Sequence, residues 1–255
     1  MKIHLFITPL FMKKILLFAI GCLLITSLFA QDNPSTEKAK KKNTIDLSGR
    51  AKDHLMIQLG GFGWSGKPDS IKTKGLSKTL NIYFLFDFPF KTNPHFSAAI
   101  GAGVGSDQIY FDKTYVGIKD VTTLLHFTNK ADTNHFKKTK LVTTYLEAPI
   151  ELRYTFDPEN NGKSLKIAVG AKVGTLLNAH TRSKDWVTKT GAGITPYVQK
   201  EFSKRFFNGN RLVLTARIGW GHFSLFYNYQ VGILFKNATT ADIHPRSIGL
   251  TISGL

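Results

Sequence analysis

Val142-Thr143-Thr144-Tyr145-Leu146-Glu147-Ala148-Pro149-Ile150-Glu151-Leu152-Arg153-Tyr154-Thr155-Phe156 is the stretch whose reading decides the fold. Its even positions carry Val142, Thr144, Leu146, Ala148, Ile150, Leu152, Tyr154 and Phe156, while its odd positions include Tyr145, Glu147, Glu151 and Arg153. A period of two belongs to a strand, where successive side chains leave on opposite faces. One face is oily and the other is charged. A sheet in water turns its polar face to solvent, but a chain exported across a membrane can turn the oily face to lipid and the charged face to a closed lumen.

Export is written at the start of the chain. Lys13 and Lys14 precede an apolar run from Ile15 to Phe29, and Ser27-Leu28-Phe29-Ala30 gives way abruptly to Gln31-Asp32-Asn33-Pro34. A charged segment, an apolar core and a small-residue boundary make a secretory signal, with cleavage expected near Ala30. The run is shorter than the ~20 apolar residues of a membrane-spanning helix. Met12-Lys13-Lys14 itself reads as the opening of such a signal, which would make residues 1–11 an extension. The only cysteine, Cys22, lies inside the signal. A mature chain without cysteine has no disulfide framework and no thiolate metal site. Residues 31–52, with Lys38, Lys40, Lys41 and Lys42, read as a flexible basic periplasmic tail, and 53–255 as one barrel domain.

Composition narrows the class further. The mean hydropathy of -0.09 excludes a helical membrane protein, whereas a barrel needs only half of its strand residues apolar. With 22 glycines and 12% aromatic residues, the chain suits many strands and turns. The net charge of +17 invites a nucleic-acid reading. Without Lys2, Lys13 and Lys14, 31 basic residues still face 17 acidic ones, leaving about +14. An exported protein does not meet cytoplasmic nucleic acid, so the expected anionic partners are outer-membrane lipid, lipopolysaccharide or other envelope glycans.

Alternation continues along the chain. Leu55, Ile57 and Leu59 alternate with Met56 and Gln58. Leu80, Ile82, Phe84, Phe86 and Phe88 alternate with Asn81, Tyr83 and Asp87. Phe96, Ala98, Ile100, Ala102 and Val104 face away from Ser97, Gly101, Gly103 and Gly105, whose small size leaves room inside a narrow barrel. Leu165, Ile167, Val169, Ala171 and Val173 oppose Lys166, Gly170, Lys172 and Gly174. Ile194, Pro196 and Val198 suggest a sixth strand, Leu212, Leu214, Ala216 and Ile218 a seventh, and Ile248, Leu250 and Ile252 close the set. The expected fold is an antiparallel up-and-down transmembrane β-barrel of about eight strands. Thr92-Asn93-Pro94, Asp157 to Gly162 and Asn208-Gly209-Asn210 read as short periplasmic turns. They alternate with longer outer links over 64–77, 109–140, 181–190 and 236–245. At Gly219-Trp220-Gly221 the apolar face jumps from even to odd positions, to Phe223, Leu225, Tyr227 and Tyr229. A bulge in one long strand over 211–235 is the preferred reading; a tight hairpin would add a strand.

Thr144 to Tyr154, with its Tyr-Leu-Glu-x-Pro pattern, and Arg217-Ile218-Gly219-Trp220-Gly221-His222-Phe223-Ser224-Leu225-Phe226 resemble the small outer-membrane β-barrel proteins of Bacteroidota, including PorT-type barrels. Tyr229, Leu234-Phe235 and Pro245 to Ser253 are similar too. The resemblance covers roughly Leu55 to the end. It implies an outer-membrane barrel, usually without assigned activity; PorT-type relatives serve protein secretion, which makes envelope or secretion proteins further partners. Barrels of this kind commonly end on an aromatic residue, and this chain ends Ser253-Gly254-Leu255.

About eight strands enclose only enough space for side chains, so a diffusion channel is not expected. Alternation sends Asp87, Glu147, Glu151 and Glu201 inward with Arg153, Lys166, Lys172 and Arg217. Buried charges need partners, and this set balances as a structural ion-pair network. Pro149 removes one ladder bond and suggests a bulge or kink, a strand-shaping role shared with Gly219, Trp220 and Gly221. Two other classes compete. A lipid-A-modifying or other barrel enzyme would draw on His126, Asp132, His135 and His180 with Ser106 and Asp107 at the outer rim, but no spacing fixes a nucleophile against a base. Neither a metal-binding spacing nor a cofactor signature is present. A soluble ligand-binding barrel would bury its oily face, and the row Phe84, Phe86, Phe88 and Phe90 on its surface would aggregate. The expectation is a non-enzymatic, monomeric outer-membrane barrel without cofactor, its N-terminus in the periplasm and its long loops outside.

Overall fold

The structure, a computed structural model, describes residues 55–236 and 242–254. The export signal and basic tail expected over 1–52 lie outside the described residues. Eleven antiparallel strands are present there: β1 Leu55–Ser65, β2 Lys78–Pro89, β3 Phe96–Phe111, β4 Thr114–Val116, β5 Phe127–Asn129, β6 His135–Thr155, β7 Leu165–Val187, β8 Gly193–Phe202, β9 Asn210–Trp220, β10 Phe223–Gln230 and β11 His244–Ser253. Eight of them close a ring in the order β1-β2-β3-β6-β7-β9-β10-β11 and back to β1. Closure leaves the ring without an unpaired edge, the one way a sheet can sit in lipid with its backbone satisfied.

The faces sort by polarity. Phe84 is 52% exposed, Phe88 56% and Ile150 55%, all on the outside, whereas Glu147 and Glu151 are each 2% exposed on the inside. An oily exterior around a charged interior is the inverse of a soluble ligand-binding barrel and removes that alternative. Toward one end of the ring the outside becomes aromatic, with Phe88, Phe90, Phe156, Trp220 and Phe223 all exposed, the girdle expected where hydrocarbon meets headgroups. Three short connections lie at this end, over 90–95, 156–164 and 221–222, and Gly254 N donates to Leu55 O there at 3.3 Å. Connections at the other end, over 66–77, 112–134, 188–209 and 231–243, are long.

Eight strands close the ring, but not the eight drawn from the sequence. The segment 211–235 is a hairpin, with Phe223 paired to Trp220 and Leu225 to Ile218 across the two-residue turn Gly221-His222. Such a turn makes partner numbers sum to an odd value, so partners on the same face have opposite parity; this is the jump that suggested a bulge. Gly221 takes a φ of +57, which a residue without Cβ adopts freely. The strand at Ile194 to Gln199 leaves the ring instead. It lies in β8, which pairs only with the far part of β7, from His180 to Val187. At 23 residues β7 is about twice the 9–11 residues that cross a membrane, so its distal half has no lipid to face and forms a projecting hairpin. Asn208-Gly209-Asn210 consequently lies at the long-connection end, where Asn210 pairs with Thr175. Pro149 carries no bulge: β6 keeps its register with β3 across an interruption opposite Gly101 and Ala102. The shift against β7 falls between Thr144 and Tyr145, where Leu177 is the extra residue.

Candidate functional site

The interior is built from glycines as much as from charges. Glu147 lies opposite Gly103 on β3 and Gly174 on β7, and Glu151 lies opposite Gly170. A Cβ added at Gly170 would come 2.2 Å from Ile150 O and 3.1 Å from Glu151 Cγ, and one at Gly103 would meet Tyr83 Cδ1 at 2.6 Å. The small residues therefore give the inward carboxylates and the Tyr83 ring the volume they occupy. Large side chains there would overpack an eight-strand interior.

Two clusters fill that volume. Nearer the short turns, Arg217 grips Glu151 with two bonds, Nε to Oε1 at 3.2 Å and Nη2 to Oε2 at 2.6 Å. Arg153 Nε donates to the same Oε2 at 3.1 Å, and Arg153 Nη1 lies 3.5 Å from Asp87 Oδ1. Farther in, Arg211 Nε donates to Glu147 Oε1 at 2.8 Å and Nη1 to Asp107 Oδ2 at 2.7 Å. The Tyr83 hydroxyl donates to Glu147 Oε2 and accepts from Lys172 Nζ at 3.2 Å, so the ammonium reaches the carboxylate through a phenol. Thr79 Oγ1 donates to Asp107 Oδ1 at 2.6 Å, and Gln58, Asn81 and Thr251 extend the bonding to the opposite wall. Asp87, Asp107, Glu147 and Glu151 face Arg153, Lys172, Arg211 and Arg217, which leaves the interior close to neutral. Bidentate arginine geometry offsets the desolvation that makes buried ion pairs expensive.

The candidates named from alternation divide. Glu147, Glu151, Arg153, Lys172 and Arg217 are buried together inside the ring, and Asp87 joins them at its edge. Lys166 is half-buried at the short-turn mouth, where it lines a cavity with Asp87, Arg153 and Arg217. Glu201 belongs to β8, in the projecting hairpin, where it accepts from Gln199 Nε2 at 2.8 Å. Alternation missed Arg211 and Asp107, although Arg211 shares parity with Arg217, and Asp107 with Gly103 and Gly105. Arg211 is the first residue of the segment drawn over 211–235, and Asp107 stands just beyond the alternation read over 96–105.

Above the charges the barrel is stoppered by hydrocarbon. Trp64, Phe111, Phe206, Phe207, Leu234, Phe235 and Ile243 pack with Tyr145 and Leu176 in a buried cluster drawn from all four long connections. Trp64 meets Phe235 edge-on at 5.5 Å and Phe111 at 5.6 Å. Tyr145 joins the two zones, because the Arg211 guanidinium lies 3.8 Å from its ring centre. Loop segments are bonded into this cap, with Asn208 N donating to Leu234 O and Lys236 N to Phe206 O. Each ring withdrawn from water contributes about 1.5–3 kcal/mol. Two interior cavities measure only ~30 and ~20 Å³, space for a few waters at about 10–15 Å³ each.

The rim residues considered for catalysis do not meet. Asp107 is engaged inside the ring by Thr79 and Arg211, and Asp132 bridges Lys189 at 3.1 Å. His135 is bonded to Thr133 O, and His180 lies against Phe202 at 5.2 Å. Among the described residues no group of three or more His, Cys, Asp or Glu could hold a metal. The cleft between β4 and the projecting hairpin, about 190 Å³, is lined by Tyr115, Phe136, Trp186 and Tyr197 with Lys113 and Lys130. Burial, the Glu201 and Asp120 charges and a hydrogen bond to Asp120 push the Tyr115 hydroxyl up to about 12, so it stays protonated at neutral pH.

Residues 48–236 match the sequence model of a family described as "Outer membrane protein beta-barrel domain". No match was found among curated proteins. Among solved structures, two crystal structures of Ail, the attachment invasion locus protein of Yersinia pestis, are similar. The complex with the heparin analogue sucrose octasulfate aligns at a TM-score of 0.35 and 12% identity, over 79% of this chain and 97% of that one. Ail without it aligns at a TM-score of 0.30 with the same identity and coverage.

Proposed function

The chain belongs to the outer membrane protein β-barrel domain family, and from that premise we propose that it is a non-enzymatic, monomeric barrel that presents its long connections outside the cell and conducts nothing. One observation carries this reading: the interior is crosslinked by buried ion pairs and stoppered by an apolar cap. The ion pairs serve as structural filling, and no cofactor takes part. Both described chain ends lie with the short turns, which supports a periplasmic N-terminus and outward-facing long loops. Residues 1–30 act as the export signal and 31–52 as a periplasmic tail. Lipid and lipopolysaccharide surround the apolar belt, and the PorT-type likeness of the Glu147 strand suggests secretion or other envelope proteins as partners of the exposed loops.

The experiment is a planar bilayer measurement on the refolded chain, with heat-dependent gel mobility as the check that the barrel has formed. A folded barrel gives no ionic current steps under an applied voltage. Stepwise conductance from a heat-modifiable preparation would refute the sealed-lumen reading.

A further inference from the structure

The cleft between β4 and the projecting hairpin has the make-up of a ligand site, and neither the lumen nor the lipid belt explains it. Three rings from three strands meet at its wall: Phe136 lies edge-on to Trp186 at 4.8 Å and 72°, and edge-on to Tyr197 at 5.4 Å and 67°. Edge contacts leave ring faces on which no second ring lies flat. Tyr197 is exposed, in a strand that has no lipid to cover it. Polar groups converge on the same space. The Tyr115 hydroxyl donates to Asp120 Oδ1 at 3.2 Å, which leaves its oxygen able to accept. Gln199 Nε2 donates to Glu201 Oε1 at 2.8 Å, a bond that fixes the amide and leaves its Oε1 and second N–H without a partner among the described residues. Lys113 and Lys130 border the opening, and Asp120 and Glu201 both act on the Tyr115 hydroxyl beside them. Two cations thus stand against two carboxylates, and the cleft is close to neutral in a chain of net charge +17.

We propose that this cleft binds one neutral hexopyranose, the terminal unit of a glycan outside the cell, stacked against Trp186 and Tyr197 and bonded through its hydroxyls by Tyr115 and Gln199. The occupant follows from what the wall rejects as well as from what it offers. A phosphate or sulfate only accepts hydrogen bonds, and here the carboxylates cancel the ammonium groups that would hold it. An apolar side chain would strip water from Tyr115 and Gln199 and put nothing in its place. A sugar ring meets both demands, because its hydroxyls donate and accept while its C–H face lies on the electron-rich faces of aromatic rings. At about 190 Å³ the cleft is smaller than the ~300–1,000 Å³ of sites that enclose a drug-sized ligand, so it takes a single ring. The position outside the cell rests on the outward reading above; the chemistry of the cleft does not.

The test uses the full chain labelled with fluorotryptophan and refolded in lauryldimethylamine oxide, a detergent without a sugar headgroup, with heat-dependent gel mobility as the check on folding. The chain has three tryptophans, Trp64 in the cap, Trp186 in the cleft and Trp220 in the girdle. Fluorine NMR therefore gives one reporting signal and two internal controls. Methyl α-glucoside, methyl β-galactoside and methyl α-mannoside are titrated separately, with galacturonate as the anionic ring. At least one methyl hexoside shifts the Trp186 signal to saturation in the millimolar range and leaves the other two signals in place. Gln199→Ala weakens that binding about tenfold, as the loss of one hydrogen bond does, and Tyr197→Ala weakens it at least as much. No saturating shift at Trp186 with any of the three, equal shifts at all the tryptophans, or unchanged affinity in both variants overturns the proposal. Tighter binding of galacturonate than of every methyl hexoside overturns it too, because the lysines then select the ligand. Saturable binding by a chain whose epitope, inserted after Asp132, is not labelled on intact cells keeps the sugar site and defeats the outward reading alone.

Discussion

Glu147 holds two partners: Arg211, bonded at 2.8 Å, and the Tyr83 hydroxyl that relays Lys172. Glu147→Gln keeps the shape and removes the charge. Arg211 then keeps Asp107 alone, Lys172 keeps a phenol with no carboxylate behind it, and breaking a buried pair from one side costs about 3–5 kcal/mol. The expected result is a lower urea midpoint for the reconstituted barrel, followed by tryptophan fluorescence; an unchanged midpoint would show that the cluster contributes nothing. Ile150, three residues along and 55% exposed on the outer face, makes the opposite demand. Ile150→Arg places a guanidinium toward hydrocarbon, costing about 2–4 kcal/mol near the midplane, and is expected to abolish the heat-modifiable form. Wild-type amounts of folded barrel would contradict the facing. Both opposed demands were legible from alternation in one strand. Arg211 and Asp107 carried the same parity signal, but strand ends are soft in sequence, and both residues sit at such ends.

At the scale of elements, the glycines matter through their partners rather than through flexibility. Gly170 lies with its missing Cβ 2.2 Å from Ile150 O, whereas Gly63 has open space on its side-chain side. Gly170→Ala must push β6 from β7 or displace Glu151, so it is expected to cost about 1–3 kcal/mol. Gly63→Ala is expected to stay within about 0.5 kcal/mol. Paired urea titrations of the two variants check the difference, and equal shifts would remove the space-making role of Gly170. The strand set was legible from the period of two, and the number of ring strands came out the same although its membership changed. A parity jump is common to a bulge and to a two-residue hairpin, so local pattern could not separate them. Pairing of Ile218 with Leu225 separates them at once. β8 was misplaced for a related reason: alternation marks a strand but does not say which strand lies beside it.

Across the whole molecule, the interior is closed twice, by charge in the middle and by hydrocarbon at the long-connection end. The two closures are independent enough to be tested apart. Arg211→Ala opens the middle cluster but leaves Trp64, Phe207 and Phe235 packed, so the absence of current is expected to persist in that variant under the same bilayer assay. Current appearing in Arg211→Ala would assign the seal to the ion pairs alone. The sequence by itself determined the class of fold and which side of each strand is greasy, because a two-residue repeat is a local property that every strand carries on its own. Only the tertiary structure decided which strands neighbour one another, that arginines rather than lysines neutralise the inner glutamates, and that the loop aromatics turn inward as a cap. Those outcomes join residues as far apart as Asp107 and Arg211 or Trp64 and Phe235. Their contact depends on ring closure and register, which no single stretch of the chain encodes.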